Sequence, residues 1–589
     1  MSTGFPRRRF VAGASLVVAA LVGTTACGGG GDDSDSKDKG AGFNAALNKV
    51  VNASTKKGGT LKFIGKQDFD SLDPQRTYYG MTWDFMRYFS RTLVTYDTKP
   101  GDASNKLVGD LATGPAQVST DGKTYTYKLR SGLTWEDGSK LTSEDVKYGI
   151  ERIWATDVIT GGPAYLKQTL DPKGEYKGPY KDKTKDKLGL KAIATPDDQT
   201  IVFKLPKPNA DFEQFLAMPT GAPVKASKDT GAKYTQHPFS SGPYKVQSYD
   251  AGKSLTLVRN TAWNKASDPI RPALPDKITV TISANLEEND KKLMEGDYDL
   301  DVNGTGMTQS GRITAVEDHR ADVDNIQTSF VRYVALVHSA KPLDNVHCRK
   351  AVFYATDFAG LQQTRGGAQA GGAIANSVFP TSIPGYSDYD PYGILARKGK
   401  PDDAKAKDEL KQCGKPSGFS TKITARTNNP SEVDTAEALQ EQLAKVGIKI
   451  EVDSIDGAQS SSITGSPKVV KSRGYGMTMS GWGPDFATGQ GYGQPLFDSR
   501  FIFDNGNYNE SQIKDPQIDK LFDEAIASTD PAKSKAYYEQ MNKQLLDNAD
   551  WMPFIYEKNI SWRGPRLTNI YSSAAYNGRY DYVSLGVVK

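Results

Sequence analysis

A tryptophan and a carboxylate stand close together late in the chain, at Trp482 and Asp485. Residues 475–480 before them alternate between large and small side chains, which is the period of a β-strand, and the turn 481–484 then ends the strand. A carboxylate can bind an amine, and an indole ring can stack on a cation. The pair therefore predicts a ligand site. The alternative is that Trp482 belongs to a core and Asp485 caps the next helix.

The elements that would position this pair belong to an alternating series of strands and helices. Strand-like segments at 448–452 and 475–480 are interleaved with helical patterns at 431–446 and 531–547. Such alternation is typical of α/β proteins. Open α/β sheets bind ligands at the ends of their strands, so we expect the turn at 481–484 to lie where such a fold binds its ligand.

The early part of the chain predicts one strand followed by one helix. A strand is predicted from about residue 58 to residue 64, after which four large apolar side chains recur at helical spacing. The four side chains are Trp83, Met86, Phe89 and Leu93. They predict one amphipathic helix that continues as far as Leu93.

The composition describes a large and nearly neutral chain. Its 589 residues are too many for one core and predict two to four domains of roughly 100–200 residues each. The 74 basic and 70 acidic residues leave a net charge of +4, without a dense basic block in the folded part, which argues against a nucleic-acid partner. Because the four histidines show no paired spacing, we expect neither a metal site nor a cofactor.

The N-terminus has the features of an export signal. A basic stretch at 7–9 precedes an apolar run at 10–22 that is too short for a stable transmembrane helix. Residues 21–27 resemble the bacterial lipoprotein cleavage site, whose cysteine becomes the mature N-terminus and carries lipid. We therefore predict a signal peptide at 1–26 and lipid on Cys27; the alternative is ordinary cleavage after Ala26. The basic stretch also resembles a twin-arginine export signal.

A glycine- and charge-rich segment follows the predicted cleavage site. Residues 28–40 cannot build a core, and residues 41–57 continue with some helical tendency. No segment after the signal peptide is long and apolar enough to span a membrane. We expect residues 27–57 to form a flexible tether.

Two further cysteines, Cys348 and Cys413, lie in the folded part. In an exported protein two such cysteines suggest one disulfide. Closing a loop of about 65 residues would stabilise the fold by about 3–4 kcal/mol in the chain-entropy model. The alternative is two unpaired thiols. No neighbouring spacing supports a metal site or a catalytic thiol.

Four groups of motifs, spread over about residues 60–579, point to one family. They are Leu72-Asp73-Pro74; the segments 121–130, 135–138 and 141–146; Ser241-Gly242-Pro243-Tyr244; and 342–344 followed by 349–352. Together these motifs resemble the extracytoplasmic solute-binding proteins of ABC importers, family 5, of the oligopeptide- and dipeptide-binding type. As a set they are highly specific, whereas each alone would be weak evidence.

The resemblance implies an α/β fold like that of periplasmic binding proteins: a two-lobe clamp of class II with an extra subdomain in the first lobe. Two crossover hinge strands near 331–337 and 551–556 would join the lobes, and hinge closure would enclose the ligand. The implied boundaries are 58–98, 236–332 and 551–589 for lobe I, 99–235 for the extra subdomain, and 333–550 for lobe II.

The resemblance also implies which residues bind the ligand. In peptide-binding members an aspartate after Gly-Trp-x-x pairs with the α-amine of the peptide, and Asp485 matches this position. Trp482 matches an aromatic residue that lines the side-chain pockets. Tyr78 and Tyr79 follow Leu-Asp-Pro, where the first lobe touches the ligand. Gly304 is a further candidate, for backbone contacts, with a plain turn as the alternative.

The implied function is that of a lipid-anchored, monomeric binding protein on the outer face of a bacterial membrane. It would capture a small solute, with a short peptide as the leading candidate, and deliver it to an ABC permease without catalysis. Pro484-Asp485-Phe486 stands where the family often has Ala-Asp-Tyr, so a metal chelate, a sugar or another small amine remains an alternative ligand. An exported peptidase-like enzyme is a second alternative. Its only motif, Ser-x-x-Lys at 54–57, falls in the tether and has no Lys-Thr-Gly partner.

Overall fold

The computed structural model describes residues 41–588 of the chain. The predicted signal peptide, the proposed lipid attachment at Cys27 and the tether up to residue 40 lie outside the described residues. Between residues 41 and 588, every helix is too short or too polar to cross a membrane.

Lobe I is built on a five-stranded sheet. Its strands, in spatial order, are Leu300–Asp301, Thr60–Gly65, Lys277–Ile282, Ser254–Arg259 and Tyr244–Asp250. The first three strands are parallel to one another and the last two continue the sheet antiparallel. In Thr60–Gly65, the fully buried Leu61 and Phe63 alternate with the partly exposed Thr60 and Lys62, as on a strand with one core-facing side. At the end of the strand both Ile64 and Gly65 are buried, so that both faces are covered there.

The extra subdomain contains a four-stranded antiparallel sheet. Its strands, in spatial order, are Gln117–Val118, Thr124–Lys128, Thr200–Lys204 and Ile193–Asp197. A smaller sheet pairs Val94–Tyr96 with Leu107–Gly109, and another pairs Leu567–Thr568 with Gly586–Val587 near the C-terminus.

Lobe II shares a six-stranded mixed sheet with the hinge. Its strands, in spatial order, are Gly372–Ile374, Trp551–Trp562, Val323–Leu336, Tyr475–Trp482, Ser420–Arg426 and Lys449–Ile455. The last three are parallel, with Ser420–Arg426 between its two neighbours. The buried residues of these strands and of the surrounding helices form one large apolar core.

Sixteen α-helices surround the sheets in the described part of the chain. In lobe I and the extra subdomain they are Gly80–Met86, Ser143–Glu151, Tyr165–Leu170, Phe212–Ala217, Leu286–Met294 and Gln309–Asp318. In lobe II they are Val346–Ala355, Phe358–Thr364, Gly367–Ala370, Asp403–Gln412, Pro430–Ala444, Ser460–Ile463, Pro467–Arg473, Gly489–Phe497, Pro516–Ala527 and Pro531–Asp547.

Two long strands, Val323–Leu336 and Trp551–Trp562, run from one lobe into the other. They pair antiparallel with each other, but their register shifts between Gln327 and Val331 and again at Tyr333. Their lobe I ends pack beside Ile64, and their lobe II ends lie in the large core of that lobe. The interrupted stretch between the two cores is the hinge that the family resemblance implies.

The Ser-Gly-Pro-Tyr motif packs against the chain that follows helix Gly80–Met86. The amide groups of Ser241 and Gly242 donate to the carbonyl oxygen of Phe89, and a Cβ at position 242 would lie only 2.7 Å from the carbonyl oxygen of Tyr88. The predicted helix to Leu93 is therefore wrong, because residues beyond Met86 make these long-range contacts instead of continuing the helix.

Residues 41–57 pack on lobe I, although the sequence predicts them as part of the tether. Ala46 is fully buried, and its amide donates to Asp324 over 3.1 Å. Val51 bridges Ile570 near the C-terminus. These contacts make this segment part of the folded body, which corrects that portion of the predicted tether.

Cys348 and Cys413 are joined by a disulfide. The bridge links helix Val346–Ala355 to the end of helix Asp403–Gln412, and the two Cα atoms lie 5.4 Å apart. His347 and Glu409 contact each other beside it over 2.7 Å. The bridge therefore ties together two helices of lobe II.

Candidate functional site

A cavity of about 280 Å³ lies between the lobes. Lobe I, the hinge strands and lobe II all contribute to its wall, and so do all five of the predicted ligand residues. These five residues are Tyr78, Tyr79, Gly304, Trp482 and Asp485. The volume is just below the usual range for small-molecule sites, roughly 300–1,000 Å³, so the cavity suits a small solute.

Asp485 is half-buried in the wall of this cavity and accepts two hydrogen bonds from the opposite side. The hydroxyl of Tyr78 in lobe I and that of Tyr165 in the extra subdomain each donate to Oδ2 over 2.8 Å. The two tyrosines are separated from Asp485 by 407 and 320 positions in the sequence. The carboxylate therefore forms a direct polar link between the two sides of the clamp.

The environment of Asp485 favours its protonated form. Burial raises the pKa of Asp485 to about 7, and the hydrogen bonds from Tyr165 and Tyr78 oppose the rise. No cationic side chain is among the causes of this shift. A ligand ammonium at this carboxylate would supply the missing positive charge and would stabilise the ionised form.

Aromatic rings surround the same corner of the cavity. Tyr78 stacks on Trp83 with centroids 5.7 Å apart and meets the edge of Tyr508 at 4.8 Å. Trp482 lies 4.9 Å from Tyr508 and 5.9 Å from Tyr78. Rings that flank a carboxylate can bind a cation and the apolar carbon atoms attached to it. This corner is therefore suited to an amine-bearing group.

Asp70 and buried ion pairs hold Tyr78 in place. Asp70 accepts hydrogen bonds from the amide of Tyr78 and from the hydroxyl of Thr77. Asp73 of the Leu-Asp-Pro motif, between Asp70 and Tyr78 in the sequence, is fully buried and forms a bidentate ion pair with the equally buried Arg152. The motif thus joins lobe I to the extra subdomain and fixes the loop that presents Tyr78.

The turn that carries Trp482 and Asp485 is fixed by its own contacts. Strand Tyr475–Trp482 includes Trp482, whose indole N–H donates to the carbonyl oxygen of Tyr492 over 3.1 Å. The amide of Asp485 donates to the carbonyl oxygen of Gly491. Helix Gly489–Phe497 is capped by the side chain of Thr488, so the alternative that Asp485 caps this helix is wrong.

Gly304 lies in the wall of the cavity, at a position where a larger residue would not fit. Its φ of +59° is in the left-handed region, and an added Cβ would lie 2.9 Å from the side chain of Arg579. Gly304 thus lets Arg579 lie along the cavity wall, where its guanidinium also approaches the ring of Phe330 at 5.8 Å.

A network of charged side chains forms another part of the wall. Arg332 lies 2.6 Å from Glu557 and 3.6 Å from Glu432, and Glu432 also pairs with Arg426. Glu510 lies near this group, and burial raises its pKa to about 7. The cavity is therefore polarised, with Asp485 at one place in the wall and several arginines at another.

Three aromatic residues at or directly behind the cavity wall are not identified from the sequence. Tyr165 lies in the extra subdomain, where no local pattern connects it to Asp485. Trp83 and Tyr508 have the spacing of ordinary core and loop residues. Only the fold brings these three rings to the same corner, so no signal in the single sequence would have identified them.

Comparison with known proteins assigns the chain to a family. The model of the bacterial extracellular solute-binding proteins, family 5, matches residues 106–504, which is more than half of the chain. This span includes the turn at Trp482 and Asp485, the hinge strand Val323–Leu336 and most of the extra subdomain.

Individual proteins that are similar to this chain are also binding proteins by name. A glutathione-binding protein, GsiB of Pectobacterium atrosepticum, is 25% identical over 513 residues, which cover 85% of this chain and 90% of that protein. The solved structure of clavulanic acid biosynthesis oligopeptide binding protein 2 is 39% identical, with a TM-score of 0.87, and covers 94% of this chain and 99% of that one. The fold is also similar to that of DppA from Helicobacter pylori in complex with the peptide STSA, with 21% identity and a TM-score of 0.76 over 91% and 99% of the two chains.

These matches confirm the predicted family and the two-lobe α/β clamp. They also confirm that the chain is a solute-binding protein and not an enzyme, because members of this family bind solutes for ABC importers outside the cytoplasm. The chain belongs to the bacterial extracellular solute-binding proteins of family 5.

Proposed function

We propose that this protein captures a short peptide, or a similar small solute with a free amine, between its lobes and hands it to an ABC permease. The observation that carries the proposal is the position of Asp485 in the cavity wall, where it accepts hydrogen bonds from Tyr78 and Tyr165 without a cationic partner. The names of the similar proteins, which bind glutathione or oligopeptides, support a peptide as the ligand.

The ligand's amine would occupy the space between Asp485 and the rings of Tyr78, Trp482 and Tyr508. An ammonium there would replace one or both tyrosine hydroxyls as the hydrogen-bond partner of the carboxylate. Its charge would be neutralised in a place of low polarity, where such an ion pair is strongest. The rings would cover the adjoining carbon atoms.

Native mass spectrometry of protein purified from its own host, followed by calorimetry with di- to penta-peptides, tests the proposal. We expect a retained solute of peptide-like mass and binding of at least one peptide. Acetylation of the peptide's amine should abolish binding. Tight binding of a solute without an amine, together with no binding of any peptide, would contradict the proposal.

A non-peptide amine is the second candidate ligand. It is favoured by the small volume of the cavity, about 280 Å³, and by Pro484, which has no backbone N–H to donate to a ligand. The same mass measurement distinguishes this candidate, because the retained solute would lack peptide bonds.

We further propose that the protein is a monomer held to the membrane by lipid on Cys27. The proposal rests on residues 21–27 and on the charged segment that follows. Cys27→Ser should release the protein from the membrane fraction, and replacement of Arg8 and Arg9 by lysine should block export if the twin-arginine route is used. Retention of the Cys27→Ser variant in the membrane would contradict the lipid anchor.

A further inference from the structure

A long loop of the extra subdomain, residues 171–192, follows helix Tyr165–Leu170. Loops of this length without secondary structure are uncommon in compact domains and are usually either functional or disordered. This one is held in place by a fully buried carboxylate. Glu151 accepts hydrogen bonds from the hydroxyl of Tyr176 and from the amide of Leu190, each over 2.9 Å. The loop is therefore fixed to the subdomain near both of its ends.

The loop carries an excess of positive charge. Seven lysines and three acidic residues lie between positions 173 and 191. The excess of four charges in this short segment is as large as the formal net charge of +4 of the whole chain. All seven lysines are exposed, and together they form the lysine surface: Lys173, Lys177, Lys181, Lys183, Lys185, Lys187 and Lys191.

Most residues of the lysine surface have no counter-charge. Within residues 41–588, only Lys181 has a carboxylate within 4 Å, that of Asp157 at 2.9 Å. Asp182, in the middle of the loop, instead accepts hydrogen bonds from the amides of Thr184 and Gly189. Like charges held close together repel one another, and an anionic partner would offset this repulsion.

A neighbouring segment extends the lysine surface and connects it to lobe I. The hydroxyl of Tyr180, in the loop, donates to Asp229 over 2.7 Å. The exposed Lys228 and Lys233 lie close to Asp229 in the sequence and add to the positive charge. Asp229 also pairs with Arg152, whose other ion pair joins the extra subdomain to lobe I. The lysine surface is thus part of the same rigid unit as lobe I.

An anionic lipid bilayer is a partner that fits this surface outside the cytoplasm. Anionic headgroups attract lysines near a membrane, with a gain in affinity of roughly fivefold per lysine. Tyr180 is 39% exposed among these lysines, and tyrosine is enriched where membrane and water meet. A lipid on Cys27 would keep residue 41 within about 50 Å of the membrane, which is the reach of a fully extended chain of that length.

We propose that the lysine surface binds the anionic headgroups of the membrane to which the protein is attached. Lobe I and the extra subdomain would then lie against the bilayer, and the ligand cavity would have a fixed orientation relative to a permease in the same membrane. The choice of a membrane as partner rests on the proposed lipid anchor, whereas the charge of the lysine surface does not. The inference is independent of which solute the protein binds.

Sedimentation with vesicles tests the proposal. The chain from residue 28 onward contains all of the described residues and cannot carry the lipid. It is mixed with vesicles of phosphatidylcholine alone, or of phosphatidylcholine and phosphatidylglycerol in equal amounts. We expect binding only to the vesicles with phosphatidylglycerol at about 0.05 M NaCl, and loss of this binding at about 0.5 M NaCl, because salt screens the attraction.

Two quadruple variants with the same change in net charge locate the binding surface. The first removes four lysines of the loop, and its affinity for the vesicles should fall by about a hundredfold or more. It is Lys173→Gln/Lys183→Gln/Lys185→Gln/Lys187→Gln. The control removes four exposed lysines of lobe II that each pair with a carboxylate, and it should bind as the unmodified chain does. It is Lys400→Gln/Lys405→Gln/Lys411→Gln/Lys535→Gln.

The possible outcomes separate this inference from the proposed anchor. Equal loss of binding in the two variants would assign the attraction to net charge and overturn the inference. Binding to soluble polyphosphate without binding to vesicles would overturn the membrane as the partner, and so would binding to neither. A loss in the first variant alone supports the inference whether or not Cys27→Ser releases the protein from cells, because the chain tested has no lipid. Thermal unfolding of both variants shows that they are folded.

Discussion

The hydroxyl of Tyr78 lies 2.8 Å from Oδ2 of Asp485 and donates a hydrogen bond to it, although 407 positions separate the two residues. Tyr78 belongs to lobe I and Asp485 to lobe II, so the hydrogen bond joins the two lobes. It also gives a hydrogen-bond donor to a carboxylate that has no cation near it. A ligand amine would compete with this bond for the same oxygen.

Binding of an amine at Asp485 should release a proton near pH 6. The pKa of Asp485 is about 7 in the empty cavity, and a bound ammonium would lower it. We expect the affinity to fall as the pH decreases below about 7, by up to tenfold per pH unit. Calorimetry at pH 6 in buffers of different ionisation enthalpy measures the released proton, and Asp485→Asn should bind weakly and release none. A full proton release in Asp485→Asn would assign the proton to another group.

Asp485 should also affect the stability of the unliganded protein. Its folded pKa of about 7 is above its ordinary value of 3.8. Between these values the native state binds more protons than the unfolded state, so the contribution to stability is present at low pH and is lost as the pH rises through about 7. Other buried acids act in the same direction, so the test is a comparison. Thermal unfolding from pH 4 to 8 should show a smaller pH dependence in Asp485→Asn than in the wild type.

Tyr165→Phe should shift the titration of Asp485 upward. The hydroxyl of Tyr165 stabilises the ionised carboxylate through its hydrogen bond, and its removal would raise the pKa of Asp485 above about 7. The pH at which amine binding weakens should move up by the same amount. Tyr386→Phe, which removes a hydroxyl bonded to Asp388 far from the cavity, is the control and should leave this pH unchanged. A titration that Tyr165→Phe does not move would show that the bond is absent in solution.

Arg152→Met should destabilise the protein by about 3–5 kcal/mol, because it leaves Asp73 buried without its cation. The double variant Arg152→Met/Asp73→Asn should be less affected, since only Asp229, the other buried carboxylate that pairs with Arg152, is then left without its cation. Lys140→Met breaks an exposed pair with Asp198 and should cost less than about 1 kcal/mol. Urea denaturation provides all three values. Equal losses for Arg152→Met and Lys140→Met would contradict the proposed importance of the buried pair.

Removal of the disulfide should lower stability without changing affinity. Cys348→Ala/Cys413→Ala opens a loop closed over 65 positions, which is worth about 3–4 kcal/mol in the chain-entropy model. Neither cysteine lies in the wall of the ligand cavity, so the affinity for a bound solute should stay within about twofold. A large loss of affinity, measured by calorimetry on the folded variant, would show that lobe II needs the bridge to shape its side of the cleft.

Elements with strong local signals could be predicted closely from the sequence. Helix Pro531–Asp547 has the predicted boundaries because Asp530 caps its first turn and Pro531 occupies the first helical position, both of which are local effects. Strand Trp551–Trp562 was predicted only to Tyr556. The polar residues 557–559 break the apolar pattern because they cross the cleft, where the strand faces a ligand cavity instead of a core.

The candidate site could be predicted only where a motif marked it. Trp482 and Asp485 stand in a recognisable turn, and Tyr78 follows Leu-Asp-Pro. Tyr165, which binds the same oxygen of Asp485 as Tyr78 does, lies in a segment whose only visible property is a short helix. Its role depends on how the extra subdomain packs against lobe II, where Tyr165 meets the ring of Phe486 at 5.5 Å. Such packing between distant segments leaves no trace in a local pattern.

The attachment of residues 41–57 has a mechanical consequence. Asn44 and Ala46 bond the lobe I end of strand Val323–Leu336, and the carbonyl oxygen of Gly42 accepts a hydrogen bond from Arg563, at the lobe I end of the partner strand. The segment thus belongs to lobe I. In a chain held by its N-terminus, lobe I would stay in place and lobe II would move relative to it. A permease docked on such a molecule would sense solute capture mainly as a displacement of lobe II.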